Sequence, residues 1–258
     1  MHSFFCKLAN FLARGCMMRK KHWDAKSIIG LILLITLLGS IVYAGIGCAL
    51  APEAASQPGE RCRSDYVLML LQCCLGLAVM FLPNMLQKKW TWPISDAMYI
   101  LYFLFLYCAI YLGEVRNFFY VVPHWDTWLH TFSGGMLGAL GFIVVDRLNR
   151  LGRKWVQLSP GFVCLFALCF AVTIGVLWEI YEFTFDGLLG LNMQKFRLED
   201  GTQLVGRAAL QDTMKDLIVD VLGAAVVVGL GYLHSLREQK HQKLVNGDDP
   251  QNTSCPKL

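Results

Sequence analysis

Apolar side chains dominate six long runs of the chain, and short polar or basic segments separate these runs. A run of about 20 apolar residues is long enough to cross a bilayer as one α-helix. The pattern therefore predicts an all-α, polytopic membrane protein with about six transmembrane helices. The predicted spans are Ile28–Leu50, Tyr66–Leu86, Ile94–Leu112, Asp126–Val145, Pro160–Phe185 and Asp212–Leu236.

The composition agrees with this prediction. The chain is 55% hydrophobic and 16% charged, whereas soluble domains carry about 25% charged residues. The net charge of +4 comes from short basic clusters beside the apolar runs. Such clusters are typical of topology signals, and they lack the interleaved aromatic residues that stack on nucleic-acid bases. We therefore expect the protein to have membrane lipid as its partner and to bind no nucleic acid.

The basic residues also predict the orientation. Of the 23 Lys and Arg residues, 16 fall on one side of the predicted spans and 7 on the other. The positive-inside rule then places both termini in the cytoplasm. The predicted location is the bacterial inner membrane. This gives a basic cytoplasmic segment over residues 1–26, a six-helix transmembrane domain over 27–236 and a disordered cytoplasmic tail over 237–258.

The ten cysteines do not form a zinc-binding pattern, because the chain contains no Cys-x-x-Cys. Most of them lie inside apolar runs, where a free cysteine behaves as a small hydrophobic residue. Cys48 and Cys62 bracket the first predicted outer loop and are candidates for a disulfide; the sequence leaves their pairing open.

Ionisable residues interrupt three of the apolar runs at helical spacing, so that each set lies on one helix face. These residues are Asp126 and His130 in the fourth run, Glu179, Glu182 and Asp186 in the fifth, and Asp212, Asp216 and Asp220 in the sixth. The predicted topology places all three sets in the outer half of the membrane. A charge that faces lipid costs at least about 2.5–3.5 kcal/mol, so we expect the three faces to meet around a hydrated cavity.

A cluster of this many carboxylates needs a bound cation, shared protons or nearby basic residues. The nearby bases in the sequence are Arg116, Arg207 and Lys215, which are too few. An oxygen-rich site with one histidine favours Mg²⁺, Mn²⁺ or Ca²⁺ over zinc.

The sequence assigns three groups of site residues. The predicted catalytic residues are His130 and Asp126. The predicted cation- or substrate-binding residues are Glu179, Glu182, Asp212, Asp216 and Asp220, of which Glu182, Asp216 and Asp220 are the predicted metal ligands. Each acid also has a simpler interpretation as a helix-end charge, and Asp212 in particular suits a helix N-cap.

Other catalytic patterns are unsupported. A di-iron bundle needs two Glu-x-x-His pairs, and the chain offers only Glu179-x-x-Glu182. Ser133 is the serine near His130 in sequence, but nothing marks it as a nucleophile. Gly134, Gly138 and Gly141 have the small-residue spacing that allows close contact between helices in membranes.

Three motifs, WDTWLH, WEIYEF and QDTMKDLIVDVLGA, resemble those of the YjdF-type family of uncharacterised bacterial inner-membrane proteins. The resemblance covers about residues 113–229 and implies a shared fold and site, without a reaction. A more distant resemblance links the chain to VanZ-like proteins, which are associated with teicoplanin resistance. This sequence departs from the VanZ-like pattern at Thr127, where a basic residue is usual, and at Asp220, where an Asn is usual.

These observations leave three hypotheses for function. The first is a site that binds or acts on an outer-leaflet lipid or lipid-linked envelope precursor through a divalent cation. The second is a non-catalytic membrane scaffold whose charges specify helix packing. The third is a proton- or cation-coupled transporter, although the sequence shows no inverted repeat. Whether the protein is an enzyme is left open.

Overall fold

The computed structural model describes residues 24–53, 60–90, 94–151, 158–198 and 201–245. Within these ranges the chain forms eight α-helices and one π-helical segment. They are α1 (Ala25–Leu50), α2 (Arg63–Met80), α3 (Leu82–Trp90), α4 (Asp96–Leu106), the π-segment (Tyr107–Val115), α5 (Phe118–Val121), α6 (Trp125–Leu151), α7 (Pro160–Leu189) and α8 (Gln211–Val245).

Six helical stretches are long and apolar enough to cross a membrane, which confirms the all-α fold and the number of spans. Helices α2 and α3 together form the second stretch, and α4 with the π-segment forms the third. The cytoplasmic placement of the termini stays a prediction. Residues 1–23 and 246–258, which make up most of the predicted terminal segments, lie outside the described residues.

Local sequence explains where several helices begin and end. Asp24, Ser95 and Ser159 cap α1, α4 and α7 by accepting hydrogen bonds from backbone N–H groups of the first turn. Pro160 then opens α7, where its missing N–H is not needed. Helix α7 ends at Gly190, whose left-handed conformation (φ 66°) favours glycine.

The sixth span differs from its prediction. Helix α8 continues to Val245 and so includes the start of the segment predicted to be a disordered tail. Residues 237–245 contain mostly Glu, Gln, Lys and Arg, which are good helix formers. An existing helix adds one hydrogen bond for each further residue without a new nucleation step, so such a sequence extends it readily.

The third span and the first loop also carry details that the sequence did not show. The third span changes from α-helix to π-helix at Tyr107, and the amide of Arg116 bonds the carbonyl of Tyr111, five residues earlier. Cys48 and Cys62 are both free, so the candidate disulfide is not formed in this structure.

The spanning helices pack as two three-helix units. The first unit contains α1, α2 and α4 with the π-segment, and the second contains α6, α7 and α8. The first unit has an apolar core around Leu33, Leu37, Met69, Cys73 and Phe103. Contacts of the π-segment and α5 with α6 join the two units. We call the end of the bundle where α6 begins and α7 ends the site end.

Candidate functional site

The site begins with a close approach of α6 and α8. A Cβ atom added to Gly134 would collide with the backbone of Asp220, and one added to Gly138 would lie 3.3 Å from the carbonyl oxygen of Ala224. At Gly223 of α8, an added Cβ would collide with the carbonyl of Thr131. The small residues thus allow the two backbones to touch, as the glycine spacing predicts, and this contact brings the acids of α8 against α6.

His130 lies among three carboxylates as a result. Its Nδ1 is 3.3 Å from Oδ2 of Asp220, and its Nε2 is 3.7 Å from Oδ1 of Asp126 and 3.9 Å from Oδ2 of Asp216. The imidazole is only 11% exposed. Asp220 is held in turn by Ser133, whose hydroxyl donates to Oδ1 at 3.1 Å. The position of Asp220 also depends on Gly175 of α7, because an added Cβ there would lie 2.8 Å from Oδ2.

Asp126, His130 and Asp216 form a group that could hold a metal ion, since one ligand atom from each lies within 4.8 Å of the others. Asp216 is 1% exposed. Its Oδ1 atom is buried and has no hydrogen-bond partner among the described residues. A buried carboxylate oxygen without a partner is costly, so this atom is available to a ligand.

Lys195 reaches the same group from the loop between α7 and α8. Its ammonium forms an ion pair with Asp126 and lies 3.4 Å from Oδ2 of Asp212. The ammonium also lies 5.2 Å from the centre of the Phe119 ring. Burial alone would lower the pKa of Lys195, but the charges of Asp126 and Asp212 outweigh burial and raise it above its ordinary value. Lys195 is therefore a resident cation at the edge of the acidic cluster.

The loop holds Lys195 in place through the end of α7. Asp186 accepts hydrogen bonds from the backbone amides of Met193 (2.8 Å) and Gln194 (2.9 Å). The side chain of Gln194 then donates to Thr213 of α8 at 2.8 Å. Lys195 follows directly, in a left-handed conformation (φ 48°). Asp186, which the sequence places on the acidic face of its helix, thus fixes the loop and does not contact His130.

Glu179 and Glu182 bring the acidic face of α7 to the site end. Glu182 accepts a hydrogen bond from Nε1 of Trp178 at 2.9 Å. Glu179 is 5% exposed, and its Oε1 atom is buried without a hydrogen-bond partner among the described residues. Both carboxylates belong to the same unit as His130, but neither belongs to the metal-capable group.

The site opens into a cavity of about 890 Å³ between the two three-helix units. Asp126, His130, Ser133, Glu182 and Asp220 line its second-unit wall. The opposite wall is formed by α2 with the residues just before it, α4 and the π-segment. It carries ionisable groups of its own, among them Arg61, Asp65 and Glu114.

The predicted site residues therefore converge from three helices. Asp126, His130, Asp216 and Asp220 lie in direct proximity, and Asp212 joins them through Lys195. The predicted metal ligands Glu182 and Asp220 lie outside the metal-capable group, and their role as ligands stays a prediction. The sequence missed Lys195, which counted only as a loop charge. The available signal in the sequence was the position of Lys195 in the segment that joins the acidic faces of the fifth and sixth spans.

A comparison with known families identifies the family to which the chain belongs. Residues 29–237 match the family described as predicted membrane protein, DUF2238. The chain belongs to this family. An uncharacterised protein from Thermotoga maritima is 35% identical over 122 residues, which is 47% of this chain and 54% of that relative. The chain thus spans about half the length of that relative. No solved structure matches the chain.

Membership of the family confirms a multi-pass membrane protein. The resemblance to YjdF-type membrane proteins is confirmed to this level and no further. The more distant VanZ-like resemblance stays a prediction.

Proposed function

We propose that Asp126, His130 and Asp216 bind a divalent cation, and that this cation holds the phosphate group of an outer-leaflet lipid or lipid-linked envelope precursor in a bacterial inner membrane. The observation that carries the proposal is the environment of the Asp216 carboxylate. This carboxylate is almost fully buried, has an oxygen without a partner, and lies beside two further ligand atoms. A site that lacked a ligand would leave this oxygen unsatisfied in a low-dielectric interior.

The chemistry of the three side chains suits a hard or borderline cation. Two carboxylates and one imidazole supply more oxygen than nitrogen and no sulfur, which supports Mg²⁺, Mn²⁺ or Ca²⁺. A bound cation would supply Lewis-acid stabilisation of charge on a phosphate oxygen.

The surrounding residues support a ligand role for His130. Nδ1 faces Asp220, and Ser133 holds Asp220 from its other oxygen. A carboxylate that accepts from one ring nitrogen fixes the tautomer and leaves the other nitrogen as a lone-pair donor. Nε2, which faces Asp126 and Asp216, is then the ligand atom. We therefore assign His130 to cation binding before acid–base chemistry.

Lys195 lies on the other side of Asp126 and is a second positive group at the cluster. Its ammonium offsets part of the negative charge that Asp126 and Asp212 bring together. One divalent ion and Lys195 would together bring three positive charges directly to the cluster. Glu182 is assigned to the substrate side of the site, since it lines the cavity. Glu179, one turn away on the same helix face, stays a predicted binding residue.

Thermal stability of the purified full chain in a Mg²⁺, Mn²⁺ and Ca²⁺ titration tests this proposal. At 100 times its dissociation constant, a ligand that binds only the folded state adds about 2.7 kcal/mol. We expect one of the ions to raise the melting temperature of the wild type. Asp216→Asn, which removes a charge with little change of shape, should abolish that rise.

A matched control is Asp96→Asn. Asp96 is largely exposed, pairs with Lys26 at the opposite end of the bundle, and its replacement should leave the ion response intact. Glu182→Gln tests the predicted wider ligand set and should weaken the response if Glu182 contributes to it. A wild-type melting temperature that ignores all three ions would contradict the proposal.

The two other predicted functions give different results in the same experiments. A scaffold loses stability in Asp216→Asn whether or not ions are present, because a packing interaction is removed. A transporter moves ions or protons across proteoliposome membranes, and Asp216→Asn stops that flux.

A further inference from the structure

The cavity changes character along its length. At the site end its walls carry charged and polar groups, including Arg61, Glu114 and Lys195. Farther along the helices the walls become mainly apolar, although Gln72 and Tyr102 also line the cavity. Leu75, Val79 and Leu82 form this part on α2 and α3, Phe105 forms it on α4, and Met136 and Leu137 form it on α6. We call this apolar part the cleft.

The cleft is long as well as apolar. Asp65 and Val79 both line the cavity and lie on the same helix, so a rise of 1.5 Å per residue separates them by about 21 Å along the axis. The cavity therefore runs through much of the thickness of a hydrocarbon core of about 30 Å. A volume of about 890 Å³ falls within the usual range of about 300–1,000 Å³ for ligand sites.

We propose that the cleft holds a hydrocarbon chain of one phospholipid, whose phosphate lies at the site end between Arg61 and the Asp126–His130–Asp216 group. This proposal rests on the proposed function and names the class of its ligand. The apolar side chains of the cleft offer water few hydrogen-bond partners but accept apolar molecules, and the surrounding membrane supplies acyl chains.

Seven carboxylates and three basic side chains line the cavity, so a phosphate group is held at the site end through the arginines and the bound cation and not by the net charge. Arg61 donates one hydrogen bond to the carbonyl of Val115 at 3.0 Å, and a guanidinium has further N–H groups that suit phosphate oxygens. The nearby Asp65 is already engaged, because it accepts from the amide of Cys62 at 2.8 Å at the start of α2. Arg197 lines the same end of the cavity. We therefore assign Arg61, Arg197 and the bound cation to the phosphate.

Photocrosslinking tests the proposal in phosphatidylcholine nanodiscs that contain the full chain. The probe is palmitoyl lysophosphatidic acid with a diazirine at the end of its chain, and mass spectrometry locates the labelled peptides. We expect labelling around Val79, Leu82 and Phe105, where the cleft ends. Leu75→Trp fills the cleft with an indole and should lower the labelling about tenfold, because a few methylene groups lose their apolar contacts.

Ala78→Trp is the matched control, since Ala78 lies on the same helix but is exposed and does not line the cavity. It should leave the labelling unchanged. Met136→Trp fills the cleft from the opposite wall and gives a second test if Leu75→Trp does not fold. Equal labelling in wild type and in the cleft variants would overturn the proposal, as would labelling spread evenly over the lipid-facing helix surfaces.

The headgroup and the cation are tested separately. Palmitoyl monoacylglycerol with the same diazirine lacks the phosphate and should label the cleft about tenfold less; equal labelling would overturn the phosphate assignment. Leu75→Trp should keep the ion-dependent rise in melting temperature, because Leu75 and the cation ligands lie in different units. Labelling of the cleft in a wild type that shows no ion response would remove the cation proposal and leave the chain-binding site standing.

Discussion

The two three-helix units have the same number of spans but bury different chemistry. The first unit packs large apolar side chains such as Leu37, Met69 and Phe103. Its buried Ser40 bonds the carbonyl of Thr36 in its own helix. The second unit buries five carboxylates and joins two of its helices through glycine. The buried carboxylates are Glu179, Glu182, Asp186, Asp216 and Asp220.

Under the proposed function, the first unit contributes mainly to stability and the second unit mainly to ligand binding. Buried acids in a membrane are expensive, and the second unit retains them where the cavity, a lysine and a histidine meet. The first unit supplies the opposite wall of the cavity and carries none of the members of the metal-capable group. We therefore expect substitutions in the two units to have different consequences.

The largest expected effect is that of Gly134→Leu. A side chain at this position collides with the backbone of Asp220, and overpacking against a backbone cannot be relieved by a rotamer change. We expect a loss of about 3 kcal/mol, the upper end of the usual range, seen as a low yield of folded protein in detergent. Gly39→Leu in α1 is the control, because an added Cβ there meets nothing within 4 Å. Equal melting curves for the two variants would contradict the close α6–α8 contact.

Leu37→Ala tests the same division between the units with a substitution in the first unit. Leu37 is fully buried in the first unit, so its truncation should cost about 2–3 kcal/mol through lost contacts and a cavity. We expect a lower melting temperature together with an unchanged apparent affinity for the divalent ion. If Leu37→Ala also abolishes the ion response, the two units do not act separately.

A smaller effect on stability is expected for Lys195→Met. The variant keeps the length of the side chain but loses the ion pairs with Asp126 and Asp212. The lysine is 23% exposed, so we expect a cost of about 1–2 kcal/mol, between the values for surface and buried pairs. The cation should bind more tightly, since a competing positive charge beside Asp126 is removed. Unchanged stability and unchanged ion affinity would show that Lys195 does not act on the cluster.

The pH dependence of this variant has a defined sign. The folded-state pKa of Lys195 is raised, so its contribution is fully present below the unfolded-state pKa of about 10.4. The stability difference between wild type and Lys195→Met should stay constant from neutral pH to about pH 10. It should then decrease as the pH rises toward the folded-state value. Chemical denaturation at several pH values measures this difference.

The spans and the convergence of the acids could be predicted because both depend on short-range periodicity. Asp126 and His130 are four residues apart on one helix, and lipid penalises either facing outward. The glycine spacing in α6 likewise predicts a close contact, although it does not name α8 as the partner.

The position of Lys195 could not be predicted, because it depends on contacts between distant segments. Asp186 captures two loop amides, Gln194 bonds Thr213, and Lys195 adopts a left-handed conformation that its sequence does not favour. The π-segment was missed for the same reason, since its apolar run resembles that of an ordinary α-helix. The choice of Asp126 over Glu182 for the metal-capable group depends on distances of a few ångströms, which helical spacing alone does not give.

The ammonium of Lys195 has a consequence for the biogenesis of the protein. A membrane-inserted chain has to bring its acidic helix faces together before any metal site exists. A lysine encoded between the last two spans arrives with those helices and pairs with Asp126 of α6 and Asp212 of α8. Assembly of the bundle can therefore proceed before any cation binds.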